Sequence, residues 1–245
     1  MAGQQAASSS PVATIDRLSE QLASNPLEGA ASQGYVFHND LVTLVEGRPT
    51  EAEAIRTART HVIARHVEEG RRGLAICSPT EGTGCTFTAT NLAVALSQVG
   101  ISTLLIDSDL RKPGVDSLIR PPSPVAGLHQ FLGTPDRQQS DFVQSDVLPN
   151  LSVLFAGGVS DQAQELLGGE AFRDLVDRCL RDYEFTVIDT PPSNASADAL
   201  RTVSIVGYAL IVARANVTRL KDLSVLSHQL QASGGRIVGS ILNEV

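Results

Sequence analysis

A chain of 245 residues, 42% hydrophobic and 19% charged, holds enough apolar material for one substantial core, as a single α/β domain of this size requires. Its net charge of −8 excludes the broad basic surface that non-specific nucleic-acid binding needs, and no apolar run of about 18 residues is present to insert directly into a membrane. Three scattered cysteines, Cys77, Cys85 and Cys179, supply neither a disulfide framework nor a zinc site.

The opening segment, MAGQQAASSSPVATIDRL, has no basic start and no apolar block, so no secretory signal is expected and the expected location is cytoplasmic. Residues 1 to about 34 are rich in Ala, Ser, Gln and Gly, a composition that cannot offset the entropy of ordering, and a mostly flexible arm is expected over 1–40. Within it Ile15, Leu18 and Leu22 recur at helical spacing, as a short docking helix or as nascent structure.

A helix is expected from near Thr50, where Thr50-Glu51-Ala52-Glu53 matches a capping box. Ala54, Ile55, Ala58, Val62 and Ile63 then form an apolar stripe towards Gly70. Strands follow at 73–78, 102–107, 151–157, 185–189 and 208–214, and RIVGSILN closes the chain. Helices are expected over TFTATNLAVALSQVG, around GLHQFLG, over ELLGGEAFRDLVDRCLRD and over LKDLSVLSHQLQAS. Apolar strands separated by helices predict a mostly parallel sheet covered on both faces. The five histidines show no metal-ligand spacing, and His61 and His66 read as helix surface.

The first core strand runs into Ser78-Pro79-Thr80-Glu81-Gly82-Thr83-Gly84-Cys85-Thr86 and then a helix. Gly82 and Gly84 permit tight turning and close backbone approach, and the helix N-terminus offers free N–H groups to an anion. A P-loop has this context but ends in Gly-Lys-Ser/Thr, whereas the lysine position here is Cys85. Thr86 keeps a hydroxyl able to ligate Mg²⁺. Two further strands end in acid: LLIDSDLRKP brings Asp107 and Asp109, and FTVIDTPP brings Asp189. In open α/β sheets that carboxyl edge is where ligands bind.

Taken together, these motifs resemble those of the bacterial tyrosine kinases of capsule and exopolysaccharide assembly, a branch of the MinD/ParA-like P-loop ATPases, over residues 41–245. SPTEGTGCT…NLA, LLIDSDLRKP and FTVIDTPP stand where that family carries its Walker A, A′ and B motifs. Glu53-Ala54-Ile55-Arg56-Thr57-Ala58-Arg59 matches its E-x-x-R-x-x-R motif, with softer matches at Glu165-Leu166-Leu167, Asp198 and Asn243. The resemblance implies a three-layer P-loop NTPase-like fold that binds ATP or ADP with Mg²⁺. Gly82, Thr83, Gly84, Cys85 and Thr86 would line the phosphate site, and Asn243 would touch the adenine. Asp107 and Asp109 would serve catalysis, and Thr86, Asp107 and Asp189 the metal. Glu53, Arg56 and Arg59 would pair across a homo-oligomer. The implied partner is a separate membrane chain-length (co-polymerase) protein of polysaccharide export, which would recruit the chain to the inner face of the membrane.

Two departures stand out. Cys85 carries no cation for a site that works mainly by electrostatic stabilisation. The family's C-terminal tyrosine cluster has no counterpart before Val245, and the tyrosines are Tyr35, Tyr183 and Tyr208. The expectation is a kinase-like regulatory subunit, catalytically impaired. An active kinase or slow ATPase using Lys112 is the alternative, and a MinD/ParA-type positioning ATPase is a third. That last class carries a signature lysine early in the loop, where this chain has Thr80.

Overall fold

The computed structural model describes residues 34–134 and 138–244. Residues 1–33 lie outside it, and with them the Ile15, Leu18 and Leu22 stripe. Part of the segment expected as arm is already built into the fold: strand β1 (Val36–Phe37) pairs antiparallel with β4 (Ile119–Arg120).

Helix α1 (Pro49–Val62) begins one residue earlier than expected, with Pro49 at its first position, where a fixed φ and a missing N–H cost nothing. The capping box is not formed. Arg48 is the N-cap, without a side-chain cap, and its guanidinium bonds Asp40 at 2.8 Å and Glu51 at 3.1 Å instead. Glu53 is thereby left to the solvent face. The helix continues as a π-helical turn, Ile63–Val67, which turns His66 inward. His66 is 2% exposed and packs edge-on against Tyr208, with ring centroids 5.3 Å apart. The expected surface position is thus corrected for His66, while His61 remains exposed.

All six expected strands are present: β2 (Gly73–Cys77), β3 (Thr103–Asp107), β6 (Leu151–Leu154), β7 (Phe185–Asp189), β8 (Tyr208–Arg214) and β9 (Arg236–Asn243). An edge strand not anticipated, β5 (Gln144–Leu148), joins them antiparallel to β6. Its polar residues and the positive φ of 53° at Asp146 hid it from the apolar pattern. The sheet order is β5-β6-β3-β7-β2-β8-β9, and every other pairing in it is parallel.

Alternate side chains of the buried strands feed two opposite layers. Leu74, Ile76, Leu105 and Val187 pack with helix α2 (Cys85–Ser97), whose Leu92, Ala93 and Leu96 are fully buried. Leu104, Ile106 and Ile188 face α6 (Glu170–Asp182) through Phe172, Leu175 and Val176. Ala75, Ala209 and Ile211 face α7 (Asp198–Val206) and α8 (Leu220–Ala232). Shorter helices are α3 (Val115–Leu118), α4 (Leu128–Gly133) and α5 (Ala163–Gly168). The single helix expected over 165–182 is therefore two, because Gly169 is extended (ψ 164°) and breaks it.

Asn91 ties the entry segment to α2. Its Oδ1 accepts the Val42 N–H at 2.9 Å, and its Nδ2 donates to the Asp40 and Phe87 carbonyls, each at 2.9 Å. From β2 the chain crosses past β7 to β3, and from β7 it crosses past β2 to β8. The switch in winding falls beside β2, so the crevice outside its carboxyl end is where a ligand is expected.

Candidate functional site

The loop leaving β2 forms one wall of a cavity of about 370 Å³ in that crevice. Gly82 and Gly84 have φ of 71° and 89°, left-handed values that disfavour any side chain. Gly84 is also the N-cap of α2, so the free N–H groups of the first helical turn open towards the cavity. Thr86, Asp109, Lys112 and Gly114 line the other walls. A side chain on Gly114 would stand 3.2 Å from the Thr86 hydroxyl, so glycine there keeps that hydroxyl open.

At the lysine position, the Cys85 thiol turns inward. Its Sγ lies 3.2 Å from the Ile76 carbonyl and 3.6 Å from the Thr190 carbonyl. Burial pushes its pKa well above the ordinary thiol value, and the nearby Asp189 carboxyl adds to the shift. Cys85 is thus a neutral packing residue, remote from the lowered-pKa thiols that act as nucleophiles.

The three expected acids are in very different states. Asp107 is 1% exposed and spends its oxygens on backbone: it accepts N–H bonds from Asp109 (3.1 Å), Gly114 (3.1 Å) and Val115 (3.0 Å). Burial nonetheless pushes its pKa up to about 7. Asp109 lines the cavity and accepts N–H bonds from Arg111 (3.1 Å) and Lys112 (2.9 Å); burial raises its pKa too. Asp189 sits beside Asp107 in the parallel ladder and is fully buried, and neither of its oxygens has a hydrogen-bond partner. The Thr86 hydroxyl and Cys85 thiol flank it. Burial first, and the Asp107 charge second, push its pKa well above the carboxylate range.

A buried carboxylate without a donor is costly, and one set beside the Thr86 hydroxyl below a positive-φ glycine loop fits a hydrated Mg²⁺ on a bound polyphosphate. Mg²⁺ keeps several waters and takes phosphate oxygens, with only one or two protein ligands. Among the described residues no cluster of three or more His, Cys, Asp or Glu forms a complete protein cage for a metal. When bound, the ion would neutralise phosphate charge; Thr86 and Asp189 are the residues placed to hold it.

Cations at the rim are engaged elsewhere. The Arg111 Nε bonds the buried Asp198 at 3.1 Å. The Lys112 ammonium lies 3.3 Å from Glu81, both side chains well exposed. Asn243 donates its amide to the Thr83 carbonyl at 3.2 Å, and Arg214 donates to the Gly82 carbonyl at 3.0 Å. The arginine escaped the sequence reading, although its place at the carboxyl end of a core strand was a usable signal. Far from this crevice, Arg56 pairs with Glu53 at 3.5 Å on the exposed face of α1, and Arg59 donates to the Ala95 carbonyl of α2 at 3.4 Å.

A mostly parallel sheet with helices on both faces, a glycine loop at its switch point and acid-tipped neighbouring strands define a P-loop ATPase-like α/β fold. MinD of Pyrococcus horikoshii, solved with Mg-ADP, shares that fold at a TM-score of 0.59 and 23% identity over 70% of this chain and 69% of its own. No protein-family model matches the chain. The tyrosine-protein kinase CpsD of Streptococcus agalactiae is 30% identical over 172 residues, covering 70% of this chain and 75% of CpsD. The chimerical protein CapA2B2 superposes at a TM-score of 0.77 with 26% identity, over 90% of this chain and 99% of its own. The kinase domain of the Escherichia coli tyrosine kinase ETK does so at 0.73 with 31% identity, over 79% of this chain and 75% of the other. The chain belongs to the bacterial tyrosine kinase family.

Proposed function

We propose that this protein is a catalytically impaired, kinase-like regulatory subunit of exopolysaccharide or capsule polymerisation and export. It acts in the cytoplasm with a separate membrane co-polymerase and works by assembly and nucleotide-dependent contacts rather than by phosphoryl transfer. The observation that carries the reading is Cys85: a neutral thiol directed to the Ile76 and Thr190 carbonyls takes the place of the cation that would meet the β- and γ-phosphates. In its relatives' chemistry that charge is part of the electrostatic stabilisation on which transfer depends. Glu53 and Arg56, paired only with each other at 3.5 Å on the exposed face of α1, support a homo-oligomer contact in which they re-pair across copies. Among the described residues no helix is long and apolar enough to cross a membrane, so membrane recruitment is assigned to the partner.

Calorimetric titration of the full chain with Mg-ATP, beside Cys85→Lys, tests this. A lysine there adds charge-assisted hydrogen bonds of about 1.5–3 kcal/mol, and the expected result is at least about a tenfold gain in affinity. Robust ATP-dependent tyrosine phosphorylation by the unmodified chain overturns the reading. One observation favours a second reading, an active kinase or slow ATPase: Lys112 lines the same cavity as Cys85, and its ion-pair partner among the described residues, Glu81, is a solvent-exposed side chain on the loop.

A further inference from the structure

The glycine loop is gripped from behind. Arg214 and Asn243 end β8 and β9 and are direct partners in the parallel ladder, so their side chains leave the sheet at one level. A backbone bond from the Ala215 N–H to the Asn243 carbonyl (2.8 Å) fixes this corner, as does one from the Arg214 N–H to the Thr218 hydroxyl (2.8 Å). From the corner, Arg214 Nη1 donates to the Gly82 carbonyl and Asn243 Nδ2 to the Thr83 carbonyl, at 3.0 and 3.2 Å. Neither side chain lines the cavity, whereas Gly82 and Gly84 do.

In a trans peptide the C=O and N–H point in opposite directions, and the described residues contain no cis peptide. Two consecutive carbonyls drawn towards the corner therefore turn the Thr83 and Gly84 N–H groups the other way, on the stretch of loop whose flanking Gly82 and Gly84 line the cavity. The clamp also demands glycine at 84, because a Cβ there would stand 2.1 Å from Asn243 Nδ2.

We infer that Arg214 and Asn243 are positioning residues that hold the loop's peptide planes ready for phosphate, so that the pocket takes the pyrophosphate group of a nucleotide through backbone amides without a Walker lysine. This rests on the reading of the crevice as a nucleotide site. A loop lacking its lysine would otherwise have to be ordered by the ligand; fixing the amides beforehand removes that cost. Arg214 further places a permanent positive charge behind the loop.

The test uses the full chain, with inorganic pyrophosphate and Mg-ADP as separate probes, followed by calorimetry and by amide NMR. In the unmodified chain the Thr83 and Gly84 amide resonances move on adding pyrophosphate. Combining Arg214→Met with Asn243→Ala weakens both probes at least about tenfold and abolishes those two shifts, with unfolding still cooperative. Arg214→Lys, which keeps a donor for the Gly82 carbonyl, recovers most of what Arg214→Met loses. Should the double variant not fold, Arg214→Met alone against Arg214→Lys carries the same comparison. Equal affinity in the clamp variants, or a loss that lysine does not rescue, overturns the clamp and leaves the nucleotide site standing. Pyrophosphate binding without Mg-ADP binding supports the clamp and removes the nucleotide reading. No response to either probe overturns both.

Discussion

The two halves of the crevice are built on opposite terms. On the loop side the backbone and the thiol are held, although the buried Thr80 and Thr83 hydroxyls have no partner: Cys85 rests on two carbonyls, and the Gly82 and Thr83 carbonyls are held by Arg214 and Asn243. On the acid side Asp189 is buried with no well-formed hydrogen bond to either oxygen, flanked by the Thr86 hydroxyl and the Cys85 thiol and next to Asp107 on the adjoining strand. A surface kept only as scaffold has no use for a buried acid without a hydrogen-bond partner, which costs stability whether it is charged or holds a proton. Strain and unsatisfied groups gather at functional sites because something else stabilises them when present. The contrast teaches that a neutral residue at position 85 leaves the acid side of the pocket intact: Thr86 and Asp189 keep the arrangement that would suit a hydrated cation.

The sharpest way to break the loop half is Gly84→Ala. The new methyl group meets Asn243 Nδ2 at a φ of 89°, and the combined backbone strain and overpacking should cost about 2–4 kcal/mol in chemical denaturation. Gly82→Ala is the matched control. Its φ is 71° with nothing within 4 Å of the added carbon, so only the backbone term of about 1 kcal/mol remains. Equal costs at the two positions would show that the contact with Asn243 contributes nothing.

Asp189→Asn probes the acid half. Because burial raises the folded-state pKa of both Asp107 and Asp189, the native chain keeps protons that the unfolded chain releases near pH 4. Stability from these groups is therefore complete below that pH and is lost as pH rises through their folded values, about 7 for Asp107. His66 acts in the opposite sense: burial lowers its pKa, so its contribution improves as pH rises towards about 6.5. Replacing Asp189 by its neutral isostere removes that residue's share of the first effect and leaves the Asp107 share and the His66 effect. The variant should be more stable than the parent at pH 8, with the gap narrowing at pH 5. A gap independent of pH would mean that Asp189 is not protonated in the fold.

What the sequence announced and what it concealed follow the same division. Apolar strands 73–77, 103–107 and 185–189 were legible because both faces of each are buried, which leaves a run of aliphatic residues with few polar interruptions. The glycine loop was legible because only glycine suits its turns, and the acids because they end those strands. The β5 strand was not, since an edge strand with polar side chains has no apolar run to betray it. Nor was the start of α1: Thr50 and Glu53 have the right spacing for a cap, but Pro49 and the Arg48 ion pairs set the boundary one residue earlier. The states of the acids were hidden as well. Asp107 and Asp189 occupy matching places in sequence, yet one is wrapped by three backbone N–H groups and the other by none, a difference made by the turn into α3.

Lys112 decides which half of the crevice governs the chemistry, and its effect on stability is the smallest. Its ammonium meets Glu81 at 3.3 Å with side-chain exposures of 78% and 62%, and exposed pairs of this kind contribute about 0–1 kcal/mol. Lys112→Ala should leave the denaturation midpoint nearly unchanged. It is also the lysine positioned on the cavity wall, with a flexible stem that could swing from Glu81 to a terminal phosphate. If the unmodified chain turns ATP over slowly and Lys112→Ala abolishes that turnover without loss of stability, the missing cation has been supplied from across the crevice and the impaired-kinase reading falls. If turnover is absent in both chains and appears in Cys85→Lys, the cation must come from the first turn of α2, and nothing on the opposite wall replaces it.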